Sequence, residues 1–217
     1  MNRKDLPNAL TMLRLAMAVA FFALLSIIGS DTAAGLVAAA VLFVFAAGTD
    51  ALDGYLARRW HVESTFGRVM DPLCDKVLVL GAFVYLAGPA FAAVDAGGVT
   101  QRSGVYPWMV VVMLLREFLV TALRGLVESA GVKFGANWFG KAKMILQSAG
   151  VPVLLLIVAW GNDCGGFEIA PWLAWTRDAL VYAIVAATVL SGWPYVTGAV
   201  RAMRGAGEGG GNAGPGS

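Results

Sequence analysis

A chain of 217 residues, 59% of them hydrophobic and only 14% charged, is not an ordinary soluble domain, because such domains carry about 25% charged residues. With a mean hydropathy of +0.72 it is expected to be an all-α integral membrane protein built as one bundle of helices. The net charge of +2 says little in sum, no nucleic-acid partner is expected, two cysteines exclude a disulfide framework, and a single histidine, His61, excludes a His-rich metal site.

The chain opens with a short N-terminal interfacial helix over residues 5–14, for which Pro7 and Asn8 suit the start. Within it Asn8, Thr11 and Arg14 recur every three residues as one polar stripe. That stripe is either a snorkelling anchor at the membrane surface or a face turned to a ligand. Arg3 and Lys4 ahead of the apolar run 15–28 mimic a signal peptide, but Arg14 lies deep in the segment and no small-x-small site follows. A retained first span, merging with the lead-in helix, is therefore expected.

Residues 29–32 form a turn, and the second span covers 33–57 with Asp50 and Asp53 at its far end. A polar connector, 58–65, leads to the third span, 67–87, which carries Pro72 near its start, where a missing N–H costs least. Residues 88–104 read as a loop. The fourth span is 107–128, the fifth 140–160 and the sixth 177–202, separated by a Gly-rich connector, 130–139, and a loop, 161–175. Pro194 is expected to bend the last span. Six transmembrane helices thus make a single domain over 1–204, followed by a disordered Gly-rich tail over 205–217.

Six spans put both termini on one side, and that side collects the cations: Arg3, Lys4, Arg14, Arg58, Arg59, Arg68, Lys76, Arg124, Lys133, Lys141, Lys143, Arg201 and Arg204. The opposite loops hold only Arg102 and Arg177, and Tyr106, Trp108, Trp160, Trp172 and Trp175 flank span ends there as an aromatic belt. The positive-inside rule then places the termini on the cytoplasmic face of the cell's inner membrane.

The stretch from Asp50 to Asp75 sets four carboxylates at that face. Asp50 and Asp53 are three apart and Asp71 and Asp75 four apart, so each pair shares a helical face. Two such charges about 4 Å apart repel by ~4 kcal/mol at an effective dielectric near 20. Four converging acids need compensating cations, and two divalent ions supply them. Oxygen-only ligands favour Mg2+, Mn2+ or Ca2+ over zinc. A metal pair suits phosphoryl chemistry because it clamps both oxygens of an in-line displacement. Gly54 and Ala57 leave room for a ligand near the backbone, Arg58 stands one turn on to meet a phosphate, and Gly67 lets the second helix start close to the first.

These residues match the pattern D-x2-D-G-x2-A-R-x8-G-x3-D-x3-D at every fixed position: Asp50, Asp53, Gly54, Ala57, Arg58, Gly67, Asp71 and Asp75. The chain therefore resembles the CDP-alcohol phosphatidyltransferase family, which also carries this motif across spans two and three of six. The resemblance implies transfer of a phosphatidyl group from a CDP-linked donor to an alcohol, with CMP leaving. It implies that Asp50, Asp53, Asp71 and Asp75 bind two divalent cations, Mg2+ or Mn2+, and that Asp75 is also the base for the acceptor hydroxyl. Gly54, Ala57, Arg58, Ser64 and Gly67, with the stripe Asn8, Thr11 and Arg14, would hold the CDP-lipid. A homodimer is implied by the same resemblance. No Ser, Cys or His is placed for a covalent intermediate, so direct transfer is expected.

Within that family the stretches Asn8 to Arg14, Asp71 to Lys76, Arg116 to Arg124 and Gly140 to Gln147 resemble phosphatidylglycerophosphate synthases, with Cys74 and Met144 departing from their usual residues. The acceptor implied is glycerol 3-phosphate, a dianion that needs cations of its own. Arg116, Val120 and Arg124, at i, i+4 and i+8, place two arginines on one face. Lys141 and Lys143 open the fifth span, where a helix N-terminus favours an anion. They do not share a face, so one is expected to point at the substrate. Arg116 has a structural alternative, pairing with Glu117 or with an acid of the Asp stretch, and the lysines have one as ordinary cytoplasmic charge. Other acceptors, phosphatidylglycerol, inositol phosphate or serine, use the same chemistry. A cation transporter is the reading from another class, but it calls for polar residues through several spans.

Overall fold

The computed structural model describes residues 5–60, 65–95, 98–129, 138–163 and 170–209. Within these, the side chains of 5–8, 10, 50–60, 65–72, 95, 126–129, 139, 162–163 and 201–209 lie outside the described residues. The helices are α1 (Asp5–Ile28), α2 (Ala33–Trp60), α3 (Thr65–Leu86), α4 (Pro107–Ser129), α5 (Trp138–Asp163) and α6 (Pro171–Gly209). Long apolar runs favour helix because each backbone group is satisfied inside its own segment, the one arrangement an isolated strand cannot offer in lipid. Pro107 and Pro171 begin α4 and α6, where no N–H partner is missed. Gly29, with φ +55°, closes α1 by turning its N–H back to Leu25 O at 3.0 Å.

Helix α1 packs on α2 and α3, α2 on α5, α5 on α6, and α6 on α4. Phe21, Leu25, Leu36, Phe43, Phe83, Leu86, Met109, Met113 and Leu154 are fully buried between them, with the Phe21 and Phe43 rings 5.4 Å apart. The outside is equally apolar: Phe45, Phe118, Trp160, Trp172, Trp175 and Trp193 are exposed, whereas Thr11, Arg14, Lys143, Gln147, Thr188 and Ser191 are buried. Apolar side chains outside and polar ones inside invert the pattern of a soluble protein. By length and composition three helices are able to cross a membrane, within Thr11–Ile28, Gly140–Gly161 and Pro171–Val200, and a shorter apolar helix spans Ala33–Thr49.

Several sequence expectations change. One that holds is the merging of the lead-in helix with the first span: both form α1, since nothing between Leu10 and Leu15 interrupts the helix. The 88–104 segment is not merely a loop. It holds a 3-10 turn, Pro89–Phe91, and an antiparallel hairpin of β1 (Ala92–Asp95) and β2 (Gly98–Gln101), with Val94 opposite Val99. Buried Ser103 anchors it by donating to Leu86 O at 2.6 Å and accepting from Val105 N at 3.1 Å. Arg102 reaches Ser30 Oγ at 3.0 Å, tying the hairpin to the α1–α2 turn. Helix α6 starts six residues before the expected 177 and continues through Pro194 to Gly209.

A close joint holds α1 to α3. The Phe22 ring stacks on Tyr85, with centroids 5.4 Å apart, and the Tyr85 and Ser26 hydroxyls are 2.9 Å apart. Gly81 makes room for this, because a Cβ there would sit 2.5 Å from Phe22 Cζ. Gly81→Val is therefore expected to destabilise the fold by about 1–3 kcal/mol through overpacking, read as a lower melting temperature in detergent.

Candidate active site

Helices α3, α4, α5 and α6 enclose a cavity of about 450 Å³. Five basic residues line it, Lys76, Arg116, Arg124, Lys141 and Lys143, against two acids, Asp75 and Glu117. Arg116, Val120 and Arg124 all face it, as their four-residue spacing predicts. The helices differ in how they bring charge here. On α3, Cys74 and Leu78 point to the core, which turns half-buried Asp75 to the cavity. On α5, Lys143 is buried and Lys141 exposed, yet both line the wall, where a single lysine was expected. Their stems are long enough for two sides of one helix start to reach one space.

Glu117 is the electrostatic centre of the wall. Its side chain is only 13% exposed and accepts from Arg116 Nη1 at 2.6 Å and from Lys143 Nζ, with Lys76 Nζ 3.8 Å away. An acid this enclosed needs such partners, since desolvating a lone carboxylate costs several kcal/mol. The structural alternative for Arg116, pairing with Glu117, is thus present. That pairing leaves much of the charge unspent: among the described residues, neither Arg124 nor Lys141 is paired with a carboxylate. The cavity carries an excess of positive charge and suits a small polyanion.

A second cavity, of about 560 Å³, lies against α2, α3 and α5. Phe43, Val44, Ala47, Ile145, Ala149 and Pro152 make it largely apolar. Asp75, Met144 and Ser148 line both cavities, so Asp75 stands where a cationic space meets an apolar one.

The remaining motif residues are placed by backbone. Asp50, Asp53, Gly54, Ala57 and Arg58 ride on the last turns of α2, and Gly67 and Asp71 on the first turns of α3. Their side chains lie outside the described residues, as do the Asn8 side chain and the whole of Ser64. Thr11 and Arg14 are 3% and 1% exposed, so these two side chains turn inward from α1 and do not snorkel to the surface.

Residues 4–190 match the CDP-alcohol phosphatidyltransferase family. The chain belongs to that family. It is 32% identical over 200 residues to the CDP-diacylglycerol–glycerol-3-phosphate 3-phosphatidyltransferase of Bacillus subtilis (strain 168), covering 88% of this chain and 93% of that protein. It is 33% identical over 175 residues to the protein of the same name in Rickettsia bellii (strain RML369-C), covering 79% and 87%. A third of that name, from Cereibacter sphaeroides, is 28% identical over 221 residues, covering 88% and 93%.

For this CDP-alcohol phosphatidyltransferase family member, sequence reasoning found the arginines and lysines of the cavity but missed their supports. Glu117 stood beside Arg116 in the sequence and was weighed only as its pairing partner. Ser191 and Tyr195 went unnoticed, although two hydroxyls one turn apart in the apolar α6 were a usable signal.

Proposed function

We propose that the protein transfers a phosphatidyl group from CDP-diacylglycerol to glycerol 3-phosphate, giving phosphatidylglycerophosphate and CMP. The observation that carries this reading is the position of Asp75, shared between a cationic cavity sized for a small phosphorylated alcohol and an apolar one suited to lipid. Names of relatives that cover most of the chain support the same donor and acceptor. Arg116, Arg124 and Lys141 hold the acceptor phosphate, with Lys143 balancing Glu117 behind them. Asp75 takes the proton of the acceptor hydroxyl. The hydroxyl oxygen bonds to the phosphatidyl phosphorus as the bond to the CMP oxygen breaks, with no covalent enzyme intermediate. Gly54, Ala57, Arg58, Ser64 and Gly67, with Asn8, Thr11 and Arg14, hold the CDP part of the donor.

Asp50, Asp53, Asp71 and Asp75 would hold two divalent cations. The donor set fits, being carboxylate oxygen alone on two consecutive helices, the chemistry of Mg2+ or Mn2+. Bound there, the cations offset the acids and polarise the phosphoryl oxygens. In this reading all six helices span the inner membrane, the termini and the site face the cytoplasm, and the protein works as a homodimer. The positive-inside count supports the orientation, and the family resemblance supports the dimer.

The test is turnover by purified protein in detergent with labelled CDP-diacylglycerol and competing acceptors. Glycerol 3-phosphate is expected to outcompete phosphatidylglycerol, inositol phosphate and serine, and a chelator to stop turnover until Mg2+ or Mn2+ is added. Equal or faster transfer to serine or phosphatidylglycerol overturns the acceptor assignment.

A further inference from the structure

Two arginines of the cationic cavity are held by hydroxyls of α6. Arg116 Nη2 donates to Ser191 Oγ at 2.7 Å, and Arg124 Nη2 donates to Tyr195 Oη at 3.0 Å. The Arg124 guanidinium also lies over the Tyr195 ring, 5.4 Å from its centroid. Donors eight residues apart on α4 therefore meet acceptors four residues apart on α6. Arginine bridges the difference because its stem is long, and its planar fork is then fixed at one edge.

The supports are themselves fixed. Ser191 is fully buried and donates its own proton to Thr188 O at 2.8 Å, which leaves its lone pairs for Arg116. Thr188 donates to Ile184 O at 2.7 Å and accepts from Gln147 Nε2 at 3.1 Å, linking the array to α5. Tyr195 is 5% exposed, and its hydroxyl would lie 4.0 Å from a Cβ at Gly140, the first residues of α5. Gly192, between the two supports, faces the Arg116 stem, whose Cγ would lie 3.5 Å from a Cβ there. In a low-dielectric interior such satisfied networks rigidify what they hold.

We infer that Ser191 and Tyr195 are positioning residues of α6 that orient Arg116 and Arg124 for the acceptor phosphate. The inference rests on the proposed role of those arginines and lies beyond residue 190, where the family match ends. A loose arginine must lose rotamer freedom each time the anion binds, whereas a held one has already lost it. Removing a support therefore weakens acceptor binding and leaves the chemical step and the donor site alone.

The experiment compares Ser191→Ala, Tyr195→Phe and Arg124→Ala with wild type by steady-state kinetics in detergent, alongside melting temperature. Tyr195→Phe keeps the ring and removes only the hydroxyl. Each α6 variant is expected to raise KM for glycerol 3-phosphate roughly three- to tenfold, with kcat and donor KM within about twofold. In the Arg124→Ala background Tyr195→Phe is expected to have no further effect. If Arg124→Ala raises the acceptor KM while both α6 variants match wild type, or if they lower kcat and raise both KM values together, the positioning role is overturned and the proposed function stands. If Arg124→Ala leaves the acceptor KM unchanged, the acceptor assignment beneath it falls as well.

Discussion

Asp75→Asn is expected to lower kcat by about 10²–10⁴, the range that a positioned general base contributes. Asparagine keeps the size and polarity of the side chain but cannot accept the proton of the acceptor hydroxyl at neutral pH. Structural damage is not the expected cause of the loss. Asp75 is half-buried at a cavity wall, while its neighbours Cys74 and Leu78, at 4% and 1% exposure, supply the packing of that turn of α3. The variant should retain its melting temperature. The measurement is CMP release at saturating donor and acceptor. A rate within threefold of wild type rules Asp75 out as the base.

Arg124→Ala has the next largest expected effect, a rise of about 10- to 150-fold in the KM for glycerol 3-phosphate, corresponding to a charge-assisted contact of 1.5–3 kcal/mol. This arginine is the cleaner probe of the two. Arg116 also neutralises Glu117, so removing it exposes an enclosed carboxylate to fewer cations and costs stability as well as binding. Arg124 has no acid partner among the described residues and contacts Tyr195 instead. Its loss should therefore leave the melting temperature and the donor KM near wild type. A kcat loss with unchanged acceptor KM would remove Arg124 from the phosphate site.

The legible parts of this protein were those written in spacing. Helical runs of apolar residues placed all six helices to within a few residues, except that α6 extends at both ends. The four-residue repeat from Arg116 to Arg124 correctly put both arginines on one wall. The hairpin was not legible, because four-residue strands are too short for alternation to rise above noise and the Gly97-Gly98 pair was read simply as loop. Thr11 and Arg14 could not be assigned to lipid or interior from their periodicity, since a polar stripe has the same spacing in either place. Burial decided it.

Composition and the ordered set Asp50, Asp53, Asp71 and Asp75 are enough to establish a helical membrane protein of the CDP-alcohol phosphatidyltransferase family, because those properties depend on residue type and local period alone. Which cations remain available to an anion was settled only by the tertiary structure. Lys143 and one edge of Arg116 are committed to Glu117, Arg124 is held against Tyr195, and Asp75 is set between two cavities. These relations join residues up to 75 positions apart on four helices, and only the packing of α3 to α6 brings them within hydrogen-bond reach.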